Sequence, residues 1–493
     1  MKFSKLAECL NIKFSGKDFL IKGISVDSRD VKQGYCFIAL RGVCADGHNF
    51  IQDALTKGAR VIIYNRRKKA EVIARGADSK VKFVAQDNPR FIAGKLSAEF
   101  YGRPADKLTV IGITGTNGKT TVCFLIENFL KIKKIKAGVI GTIYYKIGEK
   151  LLPAKNTTPD ALLVQKLFYL MLKNRLKYAL MEVSSHALSQ FRVNGIKFKI
   201  AVFTNLSAEH LDFHHNMETY FQAKASLFMQ LPEHSYAVIN LDDAYGKRLK
   251  GMVKQKVISY GIYAENVDVR AKDIVFCQQG MNFTLITAKG EIKLKTKLIG
   301  RHNIYNILAC VCVALLEKIS LEDIRKAIAL MLPVPGRMEQ IGDSVPFRVF
   351  VDYAHTDDAL SNALQTLRQL PGAKIITVFG CGGDRDRKKR PLMGKVASEI
   401  SDFVILTNDN PRTEEPETIA SQIKSGFVQG FDQYKIVLNR RKAIAYAISL
   451  AEKNDFVLIA GKGHETKQIF KEKTVEFDDR KIVREILSRI AAE

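Results

Sequence analysis

The sequence predicts an α/β protein of three domains, and three observations carry that reading. A chain of 493 residues is too long for one core, and about 150 residues per domain suggests about three units. Strand-length runs rich in Val and Ile alternate with segments of helical period, the signature of β-α-β units on parallel sheets. Two Gly/Pro breaks, "EFYGRPADKL" (99–108) and "LMLPVPGRME" (330–339), interrupt that alternation and divide the chain into 1–104, 105–334 and 335–493.

In chain order, the first unit ends in "KVKFVAQDNPRFIAGKLSAEFYG", an apolar run and then a helical pattern. The second opens on the strand "KLTVIGIT" and continues through the strand-like runs "YALMEV", "IAVFTN" and "YAVIN". The third carries "RVFVDYA", "KIITVFG", "FVILTND" and "DFVLIAG". No internal repeat or low-complexity tract breaks the pattern.

Composition narrows the function classes. Hydrophobic residues at 46% let each unit bury its own core. The start, "MKFSKLAECLNIKF", lacks an apolar h-region and a small-residue cleavage site, and no run approaches the roughly 18 apolar residues that span a bilayer. Eight scattered cysteines form no CxxC pair, so a reducing cytoplasm and no membrane insertion are expected. The formal charge of +26 is unusual, but its lysines are spread along the chain without a basic tail. A solvated lysine-rich surface is the expected reading; a field that concentrates an anionic substrate is the alternative, and no nucleic-acid partner is expected.

The most specific local signal is "KLTVIGITGTNGKTTVCFLIENFL" (107–130), a strand, a glycine turn and a helix. Gly115 and Gly118 let backbone N–H groups converge on phosphate oxygens at the helix's positive end. Lys119 can reach the β/γ-phosphates and the Thr120 hydroxyl can ligate Mg²⁺. The strict GxxxxGK[ST] spacing fails at Ile113, yet strand, turn and helix follow in the required order. Downstream, "YALMEVSSHALSQFRV" (178–193) places Glu182 at a strand's C-terminal end, where open α/β sheets bind ligands. "FTNLSAEHLDFHHNMETYFQAKASLF" (203–228) adds His210, which with Glu182 can hold a divalent cation. His210 and His214 have the spacing of a zinc pair but not the HExxH order. By pattern alone Lys224 reads as a surface lysine.

Ten motifs then resemble, in order, those of the Mur ligases: "TGTNGKTT", "NTTPD" (156–160), "MEVSSHAL", "FTNLSAEHLDFH", "GRHNIYNILAC", "PGRME", "VDYAHTDDAL", "FGCGGDRDRKKRPLMG", "DNPRTEEP" and "AGKGHE". The resemblance covers nearly the whole chain and is weakest over 60–80 and 245–295. It implies an N-terminal UDP-binding α/β domain, a central P-loop ATPase-type parallel sheet domain and a C-terminal Rossmann-like α/β domain, as a monomer. The implied activity is ATP-dependent amide formation through an acyl phosphate. UDP-MurNAc-L-Ala-D-Glu would give the γ-carboxylate and meso-diaminopimelate the amine.

The residue roles that follow are those the resemblance implies. Gly115, Thr116, Asn117, Gly118, Lys119, Thr120 and Thr121 take the ATP phosphates; Asn303, Arg337 and Asp352 take its other end. Thr120, Glu182 and His210 hold Mg²⁺, and Lys224 matches the lysine that the family carbamylates with CO₂. That modification explains why a lysine should face cations that its ammonium would repel. Ser28, Asn156, Thr157, Thr158, Ser184, Gln190 and Arg192 contact the UDP-sugar peptide, with Val26, Val43, Cys44 and Ala45 as looser matches. Arg390, Asp409, Asn410, Pro411, Arg412, Gly461 and Glu465 contact diaminopimelate. Two departures stand out: Asp357 replaces the family's usual proline, and Glu209 and His215 replace Asp and Gly.

"DNPR" occurs twice, at 87–90 and 409–412. In the first copy Asp87 or Asn88 can cap the following helix and Pro89 can open it, so Arg90 is expected to be dispensable for turnover. The second hangs off the strand "SDFVILTN", where Arg412 offers a planar fork for a distal carboxylate and Asp409, Asn410 and Glu465 can receive an ammonium. Lysine has no distal carboxylate, which favours diaminopimelate. A lysine-adding ligase, a folylpolyglutamate synthase-like ligase and a basic nucleic-acid-binding P-loop protein remain the alternatives.

Overall fold

The computed structural model describes residues 1–42, 45–69, 80–277, 280–342 and 345–490, so two of the looser sequence candidates, Val43 and Cys44, lie outside it. Three large sheets follow one another along the chain. The first has four parallel strands, Gly23–Ser25, Tyr35–Ile38, Val61–Asn65 and Lys82–Gln86, in sequential order. The helix Pro89–Phe100 follows it. Asn88 caps that helix by accepting from the Phe91 amide at 3.1 Å, and Pro89 occupies the first turn where its missing N–H costs nothing.

The second sheet has eleven strands. Its parallel centre is Lys256–Gly261, Tyr236–Asn240, Ile200–Phe203, Thr109–Thr114, Tyr178–Glu182 and Ala137–Ile140, in that spatial order. The phosphate-loop strand therefore lies mid-sheet, flanked by the strand that ends in Glu182. Apolar side chains cover both faces: Val122, Leu125 and Phe129 with Ile304 and Ile307 on one, Phe168, Met171, Tyr220 and Phe228 on the other.

Antiparallel pairings lie toward both edges of this sheet, beginning beyond Val269–Cys277, itself parallel to Lys256–Gly261, on one side and beyond Ala137–Ile140 on the other; the expectation of parallel units did not foresee them. Val269–Cys277, Gly280–Thr287 and Gly290–Thr296 form a meander on one side, and Tyr144–Ile147 and Lys150–Pro153 a hairpin on the other. The reason is one-sided solvation. In Gly290–Thr296, exposed Lys293 and Lys295 alternate with buried Leu294 and Thr296, the pattern of an antiparallel sheet with one wet face.

The third sheet runs Glu339–Gln340, Arg348–Asp352, Phe456–Ala460, Ile375–Phe379, Phe403–Leu406, Tyr434–Ile436, all parallel except the first. Its topology gathers Asp352, Gly380, the second DNPR copy and Gly461 just beyond the C-terminal ends of adjacent strands. No helix of the described residues is long and apolar enough to cross a membrane.

Candidate active site

The glycine turn after Thr109–Thr114 is built from two positions where only glycine fits. Gly115 has φ 151° and Gly118 φ 88°. A Cβ at Gly115 would lie 1.8 Å from Thr204 Oγ1, and one at Gly118 2.4 Å from Asn306 Oδ1. The loop is tied down from the neighbouring strand: Asn205 Oδ1 accepts from the Asn117 amide at 2.9 Å, and Thr204 Oγ1 donates to the Asn117 carbonyl at 2.6 Å. The helix Lys119–Ile132 starts directly behind it.

Thr116 to Thr121 line a cavity of about 650 Å³ together with Glu182, His210, Asn303, Arg337 and Asp352. Residues assigned from motifs nearly 240 positions apart in sequence thus face one space. Glu182 is buried and both its oxygens accept hydrogen bonds. Thr142 N donates to Oε1 at 2.8 Å, while the Thr120 and Thr142 hydroxyls each donate to Oε2 at 2.9 Å. Arg337 arrives from the third sheet's unit, its Nη2 3.4 Å from Thr120 Oγ1 and its guanidinium over the Tyr353 ring. Asp352 accepts from the amides of Met338 and Ala354, and burial pushes its carboxyl up against the opposing pull of Arg337. Asn303 is buried, donating to the Ile299 carbonyl at 2.8 Å.

Lys224 overturns the surface reading. It is buried, with Nζ 2.8 Å from the Gly115 carbonyl and 4.6 Å from the Tyr220 ring centroid. Lys119 Nζ donates to the same carbonyl and to that of Thr116, both at 2.8 Å. Burial, reinforced by the neighbouring Lys119 charge, holds the Lys224 amine well below the usual lysine range. Lys224 thus meets the phosphate loop at the Gly115 carbonyl.

The candidate Mg²⁺ donors Thr120, Glu182 and His210 line the same cavity. One hydroxyl, one carboxylate and one imidazole are an incomplete set, and Mg²⁺ ordinarily binds through one or two carboxylates and completes its octahedron with phosphates and water. Among the described residues no group of three or more His, Cys, Asp or Glu side chains forms a metal cluster by itself. The His210–His214 zinc pair is not formed either: His214 is buried against Tyr220 and His186.

A second cavity, about 770 Å³, lies between the first and second sheets and is lined by Val26, Ser28, Ala45, Asn156, Gln190 and Arg192. Gln190 Oε1 accepts from Arg192 at 2.9 Å, and Arg192 donates to the Thr158 carbonyl at 2.8 Å. Thr157 instead lines the first cavity, its hydroxyl 3.0 Å from that of Thr142. Thr158 is buried between them, donating to the Glu182 carbonyl and accepting from the Ser184 amide; Ser184 itself caps a short helix. The 156–158 segment therefore passes from one cavity to the other.

The second DNPR copy sits beside "AGKGHE". Arg412 takes φ 53°, and its Nη1 donates to the Gly383 carbonyl at 2.7 Å. Pro411 packs its carbonyl against Gly383, where a Cβ would come within 1.8 Å. A Cβ at Gly461 would lie 2.8 Å from Asp409 Oδ2, so Gly461 lets the two strand ends close together. Two expectations change here. Arg390 is fully buried beneath the loop, doubly bonded to Glu414 at 2.9 Å and to Gln422 at 2.6 Å, so it shapes the loop from below. Asn410 Oδ1 does not await a ligand ammonium; it already accepts from buried Lys462 at 3.1 Å and from the Ile469 amide at 3.0 Å. Lys462 also donates to Glu465 at 3.2 Å.

Sequence reasoning missed several residues at these sites. Thr142, Asn205, Glu209, His355 and Asp358 all line the first cavity. Asp358 accepts from Asn117 at 2.8 Å and Ser207 at 2.9 Å, joining the third unit to the phosphate loop. Glu209 lies 3.7 Å from both His210 and His355. Glu209 and Asp358 stood inside quoted motifs, one as a departure, but nothing in their spacing marked them as bridging residues. Of the departures, Asp357 is accommodated, beginning the helix Asp357–Arg368 after the Thr356 cap as an acid at a positive helix end; His215 keeps φ 67°, a conformation suited to glycine.

Comparison with known proteins finds relatives over nearly the whole chain. The chain matches models of the Mur ligase family catalytic domain (residues 20–103), the Mur ligase middle domain (113–314) and the Mur ligase glutamate ligase domain (336–463). It is 45% identical over 472 residues to the UDP-N-acetylmuramoyl-L-alanyl-D-glutamate--2,6-diaminopimelate ligase of Fusobacterium nucleatum, covering 95% of this chain and 94% of that one. The protein of the same name from Geobacillus kaustophilus is 43% identical, with 94% of each chain covered. Among solved structures, a protein of that name superposes with a TM-score of 0.70 at 33% identity, covering 98% of both chains. MurF from Acinetobacter baumannii shares the fold alone, at 20% identity and a TM-score of 0.65 over 99% of this chain and 98% of that one. The three matched models, in the order of the three sheets, and relatives similar over nearly their whole length establish that this chain belongs to the Mur ligase family.

Proposed function

We propose that the protein is an ATP-dependent, ADP-forming ligase that joins meso-2,6-diaminopimelate to the D-Glu γ-carboxylate of UDP-MurNAc-L-Ala-D-Glu in peptidoglycan precursor synthesis. The observation that carries this reading is the 156–158 segment. It links the 770 Å³ cavity, sized for a nucleotide-sugar peptide, to the phosphate-loop cavity at Glu182. A substrate held in the 770 Å³ cavity would extend its peptide carboxylate toward a nucleotide held in the phosphate-loop cavity.

A carboxylate resists attack by an amine because oxide is a poor leaving group. In the first step a γ-carboxylate oxygen attacks the terminal phosphorus of ATP, the P–O bond to ADP breaks, and an acyl phosphate forms. In the second the amine of diaminopimelate attacks the acyl carbon, loses a proton and expels inorganic phosphate. The chain's part is to bring two anions together and keep water out. Lys119 and Arg337 supply positive charge at the phosphate loop, and Arg337 comes with the third unit, so its docking completes the site. Thr120, Glu182 and His210 would hold Mg²⁺, which screens phosphate from carboxylate.

Lys224 would join that set as a carbamate. A neutral amine is what CO₂ requires: the N–C bond forms and a proton leaves, turning a buried cation into an anionic oxygen ligand. The depressed basicity of Lys224 supports this assignment. Arg412 and Glu465 are assigned to the distal end of diaminopimelate, Asp409, Pro411 and Gly461 to the walls around it, and Asn410 and Arg390 to holding that loop in shape. The units are placed at 1–104, 105–334 and 335–493 and the protein in the cytoplasm as a monomer, where ATP is available and its thiols stay reduced.

Isotope transfer tests the chemistry. Muropeptide labelled with ¹⁸O in the D-Glu γ-carboxylate should pass one labelled oxygen to the released phosphate. Unlabelled phosphate would show that the carboxylate is not the phosphoryl acceptor.

A further inference from the structure

We propose that Arg90, from the first DNPR copy, is a substrate anchor that works with Arg192 to hold anionic oxygens of the nucleotide-sugar peptide. The inference rests on reading the 770 Å³ cavity as the muropeptide site. It also revises the expectation that Arg90 is dispensable: the same helix start that Asn88 and Pro89 make delivers the next side chain into the cavity.

The placement is rigid. Behind Arg90, the Phe91 ring packs edge-on against Phe191 at 5.6 Å, and Asn194 Nδ2 donates to the Phe91 carbonyl at 2.7 Å. One turn on, a Cβ at Gly94 would lie 2.5 Å from the Asn194 carbonyl oxygen, so the helix Pro89–Phe100 sits directly on the 191–194 turn. That turn carries Arg192. Two guanidiniums from different units therefore line one cavity at a fixed junction.

Neither has a carboxylate partner among the described residues. Arg90 donates to the Arg41 carbonyl, and Arg192 to the Thr158 carbonyl and the Gln190 amide oxygen. The cavity's acids are committed elsewhere or face water. Asp27 is paired with Arg29 at 2.6 Å, Asp160 accepts from the amides of Leu162 and Leu163, and Asp53 is exposed. Burial weakens the protonation of Arg192; Asp160 works against that and the Arg90 charge adds to it. An anion between the two arginines would relieve this repulsion and accept from both planar forks. The matching chemistry is a diphosphate or a peptide carboxylate, and the proposed substrate carries both.

The test compares wild type, Arg90→Ala, Arg90→Lys and Asn88→Ala for turnover and for calorimetric binding of UDP and of UDP-MurNAc-L-Ala-D-Glu. Arg90→Ala should raise the KM for the muropeptide about 10-fold or more, as expected for losing a hydrogen bond to a charged group. The values of kcat and of KM for ATP and diaminopimelate should hold, and Arg90→Lys should recover part of the loss. A parallel loss of UDP affinity assigns the anchor to the diphosphate; loss for the muropeptide alone assigns it to a peptide carboxylate. Asn88→Ala removes the cap but keeps the arginine, so it should lower thermal stability and leave that KM alone. The inference is overturned if Arg90→Ala matches wild type, or if Asn88→Ala raises the muropeptide KM equally. If wild type itself shows no muropeptide-dependent ATP turnover, the functional reading fails and this inference with it.

Discussion

At Lys224 the residue's type and its surroundings disagree, and the disagreement is informative. A buried ammonium 2.8 Å from a carbonyl that also receives Lys119 is costly, and burial with the Lys119 charge lowers the amine's basicity well below the usual lysine range. Replacing Lys224 with Ala should cut turnover by about 100-fold or more, because loss of even an indirect metal contact costs 10- to 100-fold. Short carboxylic acids added to Lys224→Ala should restore part of the rate by supplying the missing anionic oxygen. A mutant that does not respond to acid would count against the carbamate. Glu182 was legible because it ends a strand beside a glycine turn. Thr142, which donates to both of its oxygens, was not, since a threonine in "GTIYY" has no sequence signature.

At the scale of elements, the two copies of DNPR show what four letters can and cannot specify. Asn and Pro before a helical pattern specify a helix start, and the Asn88 cap forms as expected. Losing that cap should cost about 1 kcal/mol in urea unfolding. The strand "FVILTN" before the second copy leads instead to a loop with Arg412 at φ 53°, held open by contacts with 380–390 that lie far off in sequence. Arg412→Ala should raise the KM for diaminopimelate much more than that for ATP; equal effects would remove it from acceptor recognition. Arg390 could not be told from Arg412 in sequence, because an arginine beneath a loop and one facing a ligand have the same local context. Burial separates them: Glu414 takes both terminal nitrogens of Arg390. Periodicity made the parallel strands legible. It missed the meander over 269–296, whose lysine-rich alternation gave no helix to mark a crossover.

Across the whole molecule, the third unit is docked on the phosphate loop by Asp358 to Asn117 and Ser207, and by Arg337 to Thr120. The same region carries histidines that burial keeps neutral. His302 is pushed down to about 4, and His464 to about 3 by burial and then by Arg337 and Arg480. The unfolded chain takes up these protons near pH 6.5, whereas the folded one refuses them until well below. Stability is therefore retained above about pH 6.5 and lost as pH falls toward 4, on the order of 1 kcal/mol per histidine per pH unit. Urea midpoints at pH 7.5 and 5 should show that fall; an unchanged midpoint would mean these imidazoles are not kept neutral.

The central claim is that three units meet so that ATP activates a muropeptide carboxylate for capture by diaminopimelate. Phosphate release from ATP, measured with UDP-MurNAc-L-Ala-D-Glu and with meso-diaminopimelate, L-lysine and other amino acids in parallel, tests it most directly. The expected result is release that requires the muropeptide and is fastest with meso-diaminopimelate. No release with any acceptor, or release indifferent to the muropeptide, would contradict it.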